Sequence, residues 1–329
     1  MPQQLIDRYG RVLNYLRLSV TDRCNFRCYY CMPEEGVAFV ARKQLLTYEE
    51  LTYLLEIFTA YGVDKVRITG GEPFVRRDLM GFLTTISRLD GLREITLTTN
   101  GSLSSEQIDS LITLGIRNVN ISLDSLDKQR FFQITRRDKF DEVVAAVMYM
   151  VKKGMHVKLN AVIAEGKNTE DILPFIELTK EHPVSVRFLE EMPFNGSETF
   201  EIPKWNHVVI KQHIVDHYPN LIKVDDGKNS TSVNYQVPGY RGTFGIIASY
   251  SRTFCGTCNR LRLSATGELR TCLYGKPAIN LRDLIRSGAN RDEVVSELLR
   301  AVANKEKDGF EAEGILASAP KKSMSFLGG

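Results

Sequence analysis

Residues 15–33 read YLRLSVTDRCNFRCYYCMP. Tyr15 to Val20 alternates apolar and polar side chains, the period of a β-strand, and sets Arg17 and Ser19 on one face. The strand runs directly into Cys24, Cys28 and Cys31, a CxxxCxxC loop. Three thiols this close together can wrap one small inorganic centre, whereas a disulfide framework needs an even number. Structural zinc sites and ordinary iron–sulfur sites use four protein ligands. Three leave one metal position for something else, which points to chemistry rather than to a structural clip.

The other three cysteines form a second triplet, Cys255, Cys258 and Cys272, and none of the six is left over. With no apolar signal segment in MPQQLIDRYGRV, a reducing compartment is expected, which favours metal ligation over disulfides. Forty-three basic residues against forty acidic give a net charge of +3, which argues against a general nucleic-acid binder. The longest apolar run, Val143 to Val151, is far too short for a membrane span, so a cytoplasmic protein is expected. At 329 residues and 43% hydrophobic, the chain has room for one large domain and a smaller one.

Outward from the opening strand, β-branched runs alternate with amphipathic helical stretches. Strands are predicted at 15–20, 65–69, 94–99, 117–123, 156–163 and 184–189. Helices are predicted near 47–61, 76–90, 104–114, 139–153 and 169–182. Thr47 with Glu50, and Ser104 with Gln107, have the spacing of capping boxes, and Gly62, Gly115 and Gly154 sit where helices should stop. Six βα repeats imply a parallel sheet, either doubly wound or a partial TIM-type barrel. Both folds gather their site beyond the strand C-termini, where Cys24, Gly70 and Asn100 fall. Ser122 and Asp124 add polar groups to the same rim.

Strand periodicity adds an electrostatic argument. Arg17, Lys65, Arg67, Lys158 and Arg187 all lie within predicted strands. Barrel interiors are ordinarily filled by Val, Ile and Leu, and cations without partners are costly to bury. Pointing inward, these five would receive a polyanion; the bland alternative puts each at a solvated strand end. Gly70-Gly71-Glu72-Pro73 follows the second strand, and its paired glycines permit close approach of backbone to a ligand.

Beyond Phe194, residues 195–204 read as a connection and 225–232 as a polar loop. The stretch 233–274 reads as short antiparallel strands, the clearest a hairpin turned at Ala265–Thr266–Gly267. Helices follow near 281–287 and 291–306. Arg260 and Arg262 alternate on the strand leaving Cys258, placed to flank an anion or to lie on a solvated face. Taken alone, CGTC with Cys272 also fits a zinc ribbon lacking one partner. His213 and His217 fit a solvated helix, because Ile214 stands where a zincin has Glu, and no GxxxxGK[ST] is present.

The CxxxCxxC loop after strand one and GGEP after strand two resemble the radical S-adenosylmethionine (SAM) superfamily. Within it, VRITGGEPFVRRDL, TLTTNG, NISLDSLD, VKLNAVI, VRFLEEM, FCGTCNRLRLS and the terminal GG resemble the family of GTP 3′,8-cyclases of molybdenum cofactor biosynthesis. The resemblance implies an α/β fold, a partial (βα)6 TIM-type barrel over residues 1–200. A smaller C-terminal α+β domain, 201–329, would cover its open side. Two [4Fe–4S] clusters are implied, one on Cys24, Cys28 and Cys31 and one on Cys255, Cys258 and Cys272. SAM would meet Tyr30, Gly71, Ser122 and Met192. GTP would meet Arg17, Lys65, Arg67, Thr98, Lys158, Arg187, Arg260, Leu261 and Arg262.

The family's reaction takes hydrogen from the ribose 3′ carbon with a 5′-deoxyadenosyl radical and closes the ring onto guanine carbon 8. Reduction of the resulting base-centred radical by one electron, with a proton, gives (8S)-3′,8-cyclo-7,8-dihydroguanosine 5′-triphosphate. Arg17, Arg260, Arg262, Gly328 and Gly329 would assist catalysis, the last two as a tail entering the site. Implied partners are a flavodoxin-like low-potential electron donor, cyclic pyranopterin monophosphate synthase as the next enzyme, and a second copy in a homodimer. A radical SAM enzyme maturing peptides and a zinc-bearing binding module are the competing readings.

Overall fold

The computed structural model describes residues 3–194, 202–314 and 323–327. The described strands, in chain order, are β1 (Tyr15–Ser19), β2 (Lys65–Thr69), β3 (Glu94–Thr99), β4 (Asn118–Ser122), β5 (His156–Ile163) and β6 (Ser185–Glu190). They continue as β7 (Ile222–Lys223), β8 (Ser232–Gln236), β9 (Thr243–Ile247), β10 (Arg260–Leu263), β11 (Glu268–Arg270) and β12 (Ile279–Asn280). All six strands expected before residue 190 are present. The helices Tyr48–Ala60, Leu79–Ile86, Ser105–Thr113, Phe140–Lys152 and Ile172–Glu181 lie inside the predicted ranges.

Local chemistry accounts for the helix ends. Thr47 accepts from the Glu50 amide at 3.2 Å while the Glu50 carboxylate takes the Thr47 amide at 2.7 Å, a closed capping box. Ser104 and Gln107 do the same at 3.3 and 2.9 Å. An additional helix, Lys128–Thr135, is capped by the Asp127 side chain and stops where Arg136 turns left-handed. Its polar composition hid it from a periodicity search.

The chain divides into two compact units, and the division falls inside β3. The first unit draws its described residues from 1–25, 37–97 and 255–329. Its strands run in the order β12-β11-β10-β1-β2-β3. β1 pairs parallel with both β2 and β10, and β10 turns antiparallel into β11. One face is apolar: Leu16, Leu18, Val66, Ile68, Leu261 and Leu263 are essentially inaccessible. Each buried leucine of this kind stabilises by about 2 kcal/mol.

The second unit draws its described residues from 26–36 and 98–254, with strand order β4-β5-β6-β9-β8-β7. Here β9 runs parallel to β6 and antiparallel to β8. The expectation of antiparallel pairing throughout 233–274 is therefore corrected: β9 and β10 each pair parallel on one side. A parallel sheet leaves backbone donors and acceptors open along its edge strands, and a later strand satisfies them from either direction. The hairpin at 265–267 is present, closed by the Gly267 amide on the Ser264 carbonyl at 3.0 Å.

Buried Asp171 ties the loop after β4 to the helix that follows it. Its carboxylate accepts the Ser125 hydroxyl at 2.8 Å and the Leu126 amide at 3.0 Å, and it takes Arg130 Nε and Nη2 at 2.7 and 3.1 Å. Asp171→Ala is expected to destabilise the chain by about 3 kcal/mol, because buried donors and a guanidinium lose their acceptor. Urea midpoints of both proteins check this, and equal midpoints would remove Asp171 from the framework.

Candidate functional site

In the first unit, in-register parallel pairing converts single cations into rows. Arg270, Arg262, Arg17, Arg67 and Thr96 are successive partners across β11, β10, β1, β2 and β3. One step along, Arg260, Tyr15, Lys65 and Glu94 form a second row. The Tyr15 ring has Lys65 Nζ at 5.4 Å from its centroid, with the Arg67 and Arg260 guanidinium carbons at 5.6 and 5.9 Å. Lys65 also pairs with Glu94 at 2.7 Å, and Arg67 Nε donates to Thr96 Oγ1 at 3.2 Å.

Positive charge is concentrated on this face. Burial raises the Tyr15 phenol, yet Arg67, Arg17, Arg260 and Lys65 together outweigh it and bring it down to about 8. Burial, then the like charges of Arg17 and Arg260, pull the Arg262 guanidinium down to about 9, so it still carries its charge near neutrality. The Tyr15 hydroxyl, Arg17 Nε and Thr69 Oγ1 are buried without a hydrogen-bond partner. Buried polar atoms in native proteins ordinarily have partners. A polyanionic ligand would supply the acceptors these donors lack.

The second cysteine triplet adjoins the same rows. Arg260 Nη1 reaches Cys258 Sγ at 3.9 Å. Burial raises the Cys258 thiol, but Lys305, Arg260 and Arg262 outweigh it and lower it below the ordinary thiol value. At Cys272 burial wins and the thiol is pushed up, with Cys258 and Cys255 adding to the rise. The segment is anchored by Arg11, which donates to the carbonyls of Cys255, Glu306 and Lys307 at 3.3, 2.6 and 2.7 Å.

The segment carrying Cys24 belongs to the first unit, where Gly71 secures it. The Gly71 amide donates to the Thr21 carbonyl at 2.8 Å and the Glu72 amide to the Arg23 carbonyl at 2.8 Å. A Cβ on Gly71 would lie 2.3 Å from the Arg23 carbonyl oxygen, so this approach demands glycine. Cys28 and Cys31 belong to the second unit. The Cys31 amide donates to the Cys28 carbonyl at 2.9 Å, a turn presenting both thiols. The Arg27 and Tyr29 amides donate to the Thr135 and Ile134 carbonyls at the end of the helix Lys128–Thr135.

None of the six cysteines forms a disulfide. Among the described residues no three Cys, His, Asp or Glu side chains converge on a point a single ion would occupy. A four-iron cluster sets each thiolate on a different iron and asks for no such convergence. The second set, three thiols within one unit with a depressed Cys258 thiol and cations beside it, fits such a group.

In the second unit Ser122, Asn160, Arg187, Gly245 and Asn234 are successive partners across β4, β5, β6, β9 and β8. Asn160 Oδ1 and Arg187 Nε are buried without partners, and Thr98 Oγ1 is too. Burial draws the Arg187 guanidinium down, with Asp226 opposing. Lys158 lies one row away, opposite Asn120 and Ser185. The Tyr30 hydroxyl donates to Asp124 Oδ2 at 2.7 Å, and the Val162 amide to Oδ1 at 2.9 Å. Burial nevertheless raises the Asp124 carboxyl to about 6.

Two models of known families match the chain: the Radical SAM superfamily over residues 18–179 and Molybdenum Cofactor Synthesis C over residues 184–311. A GTP 3′,8-cyclase of Alkaliphilus oremlandii is 37% identical over 98% of this chain and 99% of its own length. The mitochondrial GTP 3′,8-cyclase of Arabidopsis thaliana is 37% identical over 99% of this chain and 83% of its own. The chain belongs to the GTP 3′,8-cyclase family.

It spans about half the length of other relatives, such as the Caenorhabditis elegans molybdenum cofactor biosynthesis protein moc-5, 41% identical over 92% of this chain and 50% of that protein. Among solved structures, Streptococcus suis SuiB bound to S-adenosylmethionine superposes with a TM-score of 0.62 at 14% identity, over 94% of this chain and 69% of that one. At that identity the likeness concerns the fold, which is the α/β fold of radical SAM enzymes.

For this member of the cyclase family, the structure brings Arg17, Lys65, Arg67, Arg260 and Arg262 onto adjoining rows of one face in the first unit. Ser122 and Arg187 share one row of the second unit. Leu261 alternates away from the cations: its side chain is buried opposite Leu16, leaving only its backbone for a ligand. Met192 is half-buried, its carbonyl taken by the Phe194 amide at 2.8 Å. Gly328 and Gly329 lie outside the described residues. Tyr15 was missed, though its position two residues before Arg17 places it on the cation face. The role of Asp124 as acceptor for Tyr30 was also missed, since no local spacing links the two.

Because the folded chain retains the Asp124 proton up to about pH 6, whereas a free carboxyl loses it near 4, the native state binds more protons between those values. Stability of cluster-free protein, relative to Asp124→Asn, is therefore expected to fall by about 2 kcal/mol as pH rises from about 4 to 6. Urea titrations across that range check this. A difference independent of pH would show that Asp124 titrates alike in the folded and unfolded chain.

Proposed function

We propose that the chain is a radical SAM GTP 3′,8-cyclase, forming (8S)-3′,8-cyclo-7,8-dihydroguanosine 5′-triphosphate early in molybdenum cofactor biosynthesis. The observation that carries the reading is the pair of cation rows on β10, β1 and β2, which ends at Arg260 against Cys258. A nucleoside triphosphate matches both ends: phosphates for the rows, and a heterocyclic base for a metal centre at the second cysteine set. A peptide substrate gives no reason for such a run of half-buried and buried guanidinium groups.

Cys24, Cys28 and Cys31 would hold one [4Fe–4S] cluster and Cys255, Cys258 and Cys272 the other, with SAM at Tyr30, Gly71, Ser122 and Met192. When loaded, the first cluster and SAM supply a carbon-centred radical able to take a hydrogen atom from the ribose. The chain's own work is placement. Arg17, Lys65, Arg67, Arg260 and Arg262, with Thr98, Lys158 and Arg187, would bind the triphosphate nucleotide and keep it in one pose. Held so, the ribose meets its reactant at an effective concentration far above any free solute. The buried, charged walls exclude water, and Arg260 and Arg262 offset negative charge developing on the base.

The paired terminal glycines would complete the site. A division near residue 200 into a barrel segment and a C-terminal segment is part of this reading; the two family models meet somewhat earlier, between residues 179 and 184. A flavodoxin-like electron donor, cyclic pyranopterin monophosphate synthase downstream and a homodimer complete the proposal. No helix of the described residues is long and apolar enough to cross a membrane, and the proposed workplace is the cytoplasm.

The test is 5′-deoxyadenosine formation by anaerobically reconstituted protein with SAM and dithionite, with each nucleoside triphosphate in turn. Stimulation by GTP alone, with the cyclised product, is expected; indifference to nucleotides would reject the substrate. Arg17→Ala is expected to weaken GTP binding about tenfold or more, as for loss of a charge-assisted hydrogen bond, with iron content and SAM affinity unchanged. Unaltered GTP affinity would remove Arg17 from the site.

A further inference from the structure

Lys305, just past the helix Arg291–Ala303, is 2% exposed and among the largest fully buried side chains of the chain. Its Nζ donates to the carbonyl of Arg260 at 3.3 Å and to the carbonyl of Thr271. No described carboxylate forms an ion pair with it. The neighbouring Glu306 turns instead to the Thr271 hydroxyl at 3.0 Å. A lysine buried without an opposite charge is costly, so a structure that keeps one places negative charge nearby. The two carbonyls it holds lie beside Cys258 and Cys272, whose sulfurs would carry that charge when they ligate a cluster.

The two carbonyls it holds are informative by position. Arg260 follows Cys258 by two residues, and Thr271 immediately precedes Cys272. One amine therefore staples the two backbone segments that carry these thiols, and it does so from a third segment of chain. Its amine stands where a metal cluster on those thiols would change charge.

We propose that Lys305 is a positioning residue for the second cysteine set, holding Cys258 and Cys272 in place and setting the reduction potential of the cluster they carry. The inference rests on the reading of Cys255, Cys258 and Cys272 as cluster ligands. A nearby positive charge favours the reduced, more negative cluster, so its removal shifts the potential downward.

The experiment uses reconstituted full-length protein in which Cys24, Cys28 and Cys31 are replaced by Ala, so that only the second cluster contributes. Iron and sulfide content and the potential, followed by electron paramagnetic resonance, are read for Lys305, Lys305→Gln, Lys305→Met and Lys305→Arg. Absence of any cluster from the Lys305 parent would reject the ligand reading itself, independently of Lys305. Given a loaded parent, the neutral variants are expected to shift the reduction equilibrium about tenfold toward the oxidised form, about 59 mV for one electron. Lys305→Arg should stay near the parent. Loss of the cluster from both neutral variants, with circular dichroism unchanged, would equally support positioning. Loaded neutral variants at the parent potential, an Lys305→Arg as defective as they are, or unfolding of all three would overturn the proposal.

Discussion

Parallel pairing of β1 with β2 on one side and β10 on the other is the constraint on which the first unit depends. Because the register sets Arg262, Arg17 and Arg67 opposite one another, β10 and β2 each add a like charge to the row on β1. Two such charges roughly 6 Å apart cost about 3 kcal/mol at an effective dielectric near 20. The opposite face offsets this through Leu16, Leu18, Val66, Ile68, Leu261 and Leu263, all buried. The apolar face holds the strands together, and the charged face is left poised for an anion. Breaks of local rules of this kind are characteristic of functional sites.

The cysteine segments show a second kind of support, made of backbone contacts rather than side-chain packing. Gly71 allows the chain after β2 to lie against Arg23, one residue before Cys24. Thr135 and Ile134 carbonyls hold the loop that bears Cys28, and Arg11 clasps the carbonyl of Cys255. Thiols that must present themselves to a shared inorganic centre need their main chain located to a fraction of an ångström, and backbone hydrogen bonds do this with little conformational freedom left.

Much of this was readable in one dimension because it is periodic or local. The strand positions of Arg17, Lys65, Arg67 and Arg187 follow from alternation, and the caps at Thr47 and Ser104 follow from a spacing of three. What escaped was long-range. Lys305 at the end of a helix looks like any solvated lysine until β10 and the Thr271 carbonyl are found around its amine. The acidic character of Asp124 depends on burial among residues distant in sequence, and the helix Lys128–Thr135 is too polar to announce itself by pattern.

The sequence by itself determined the alternation of strands and helices, two three-thiol sets and five cations within strands, since each rests on backbone period or on neighbours along the chain. Only the tertiary structure decided that β9 and β10 join the sheet in parallel, that the arginines fall into common rows, and that Tyr15 stands among them without a partner for its hydroxyl. The physical reason is that register between strands is set by packing of the buried faces and by hydrogen bonds between remote segments. Neither leaves a mark in the spacing of residues along a single strand.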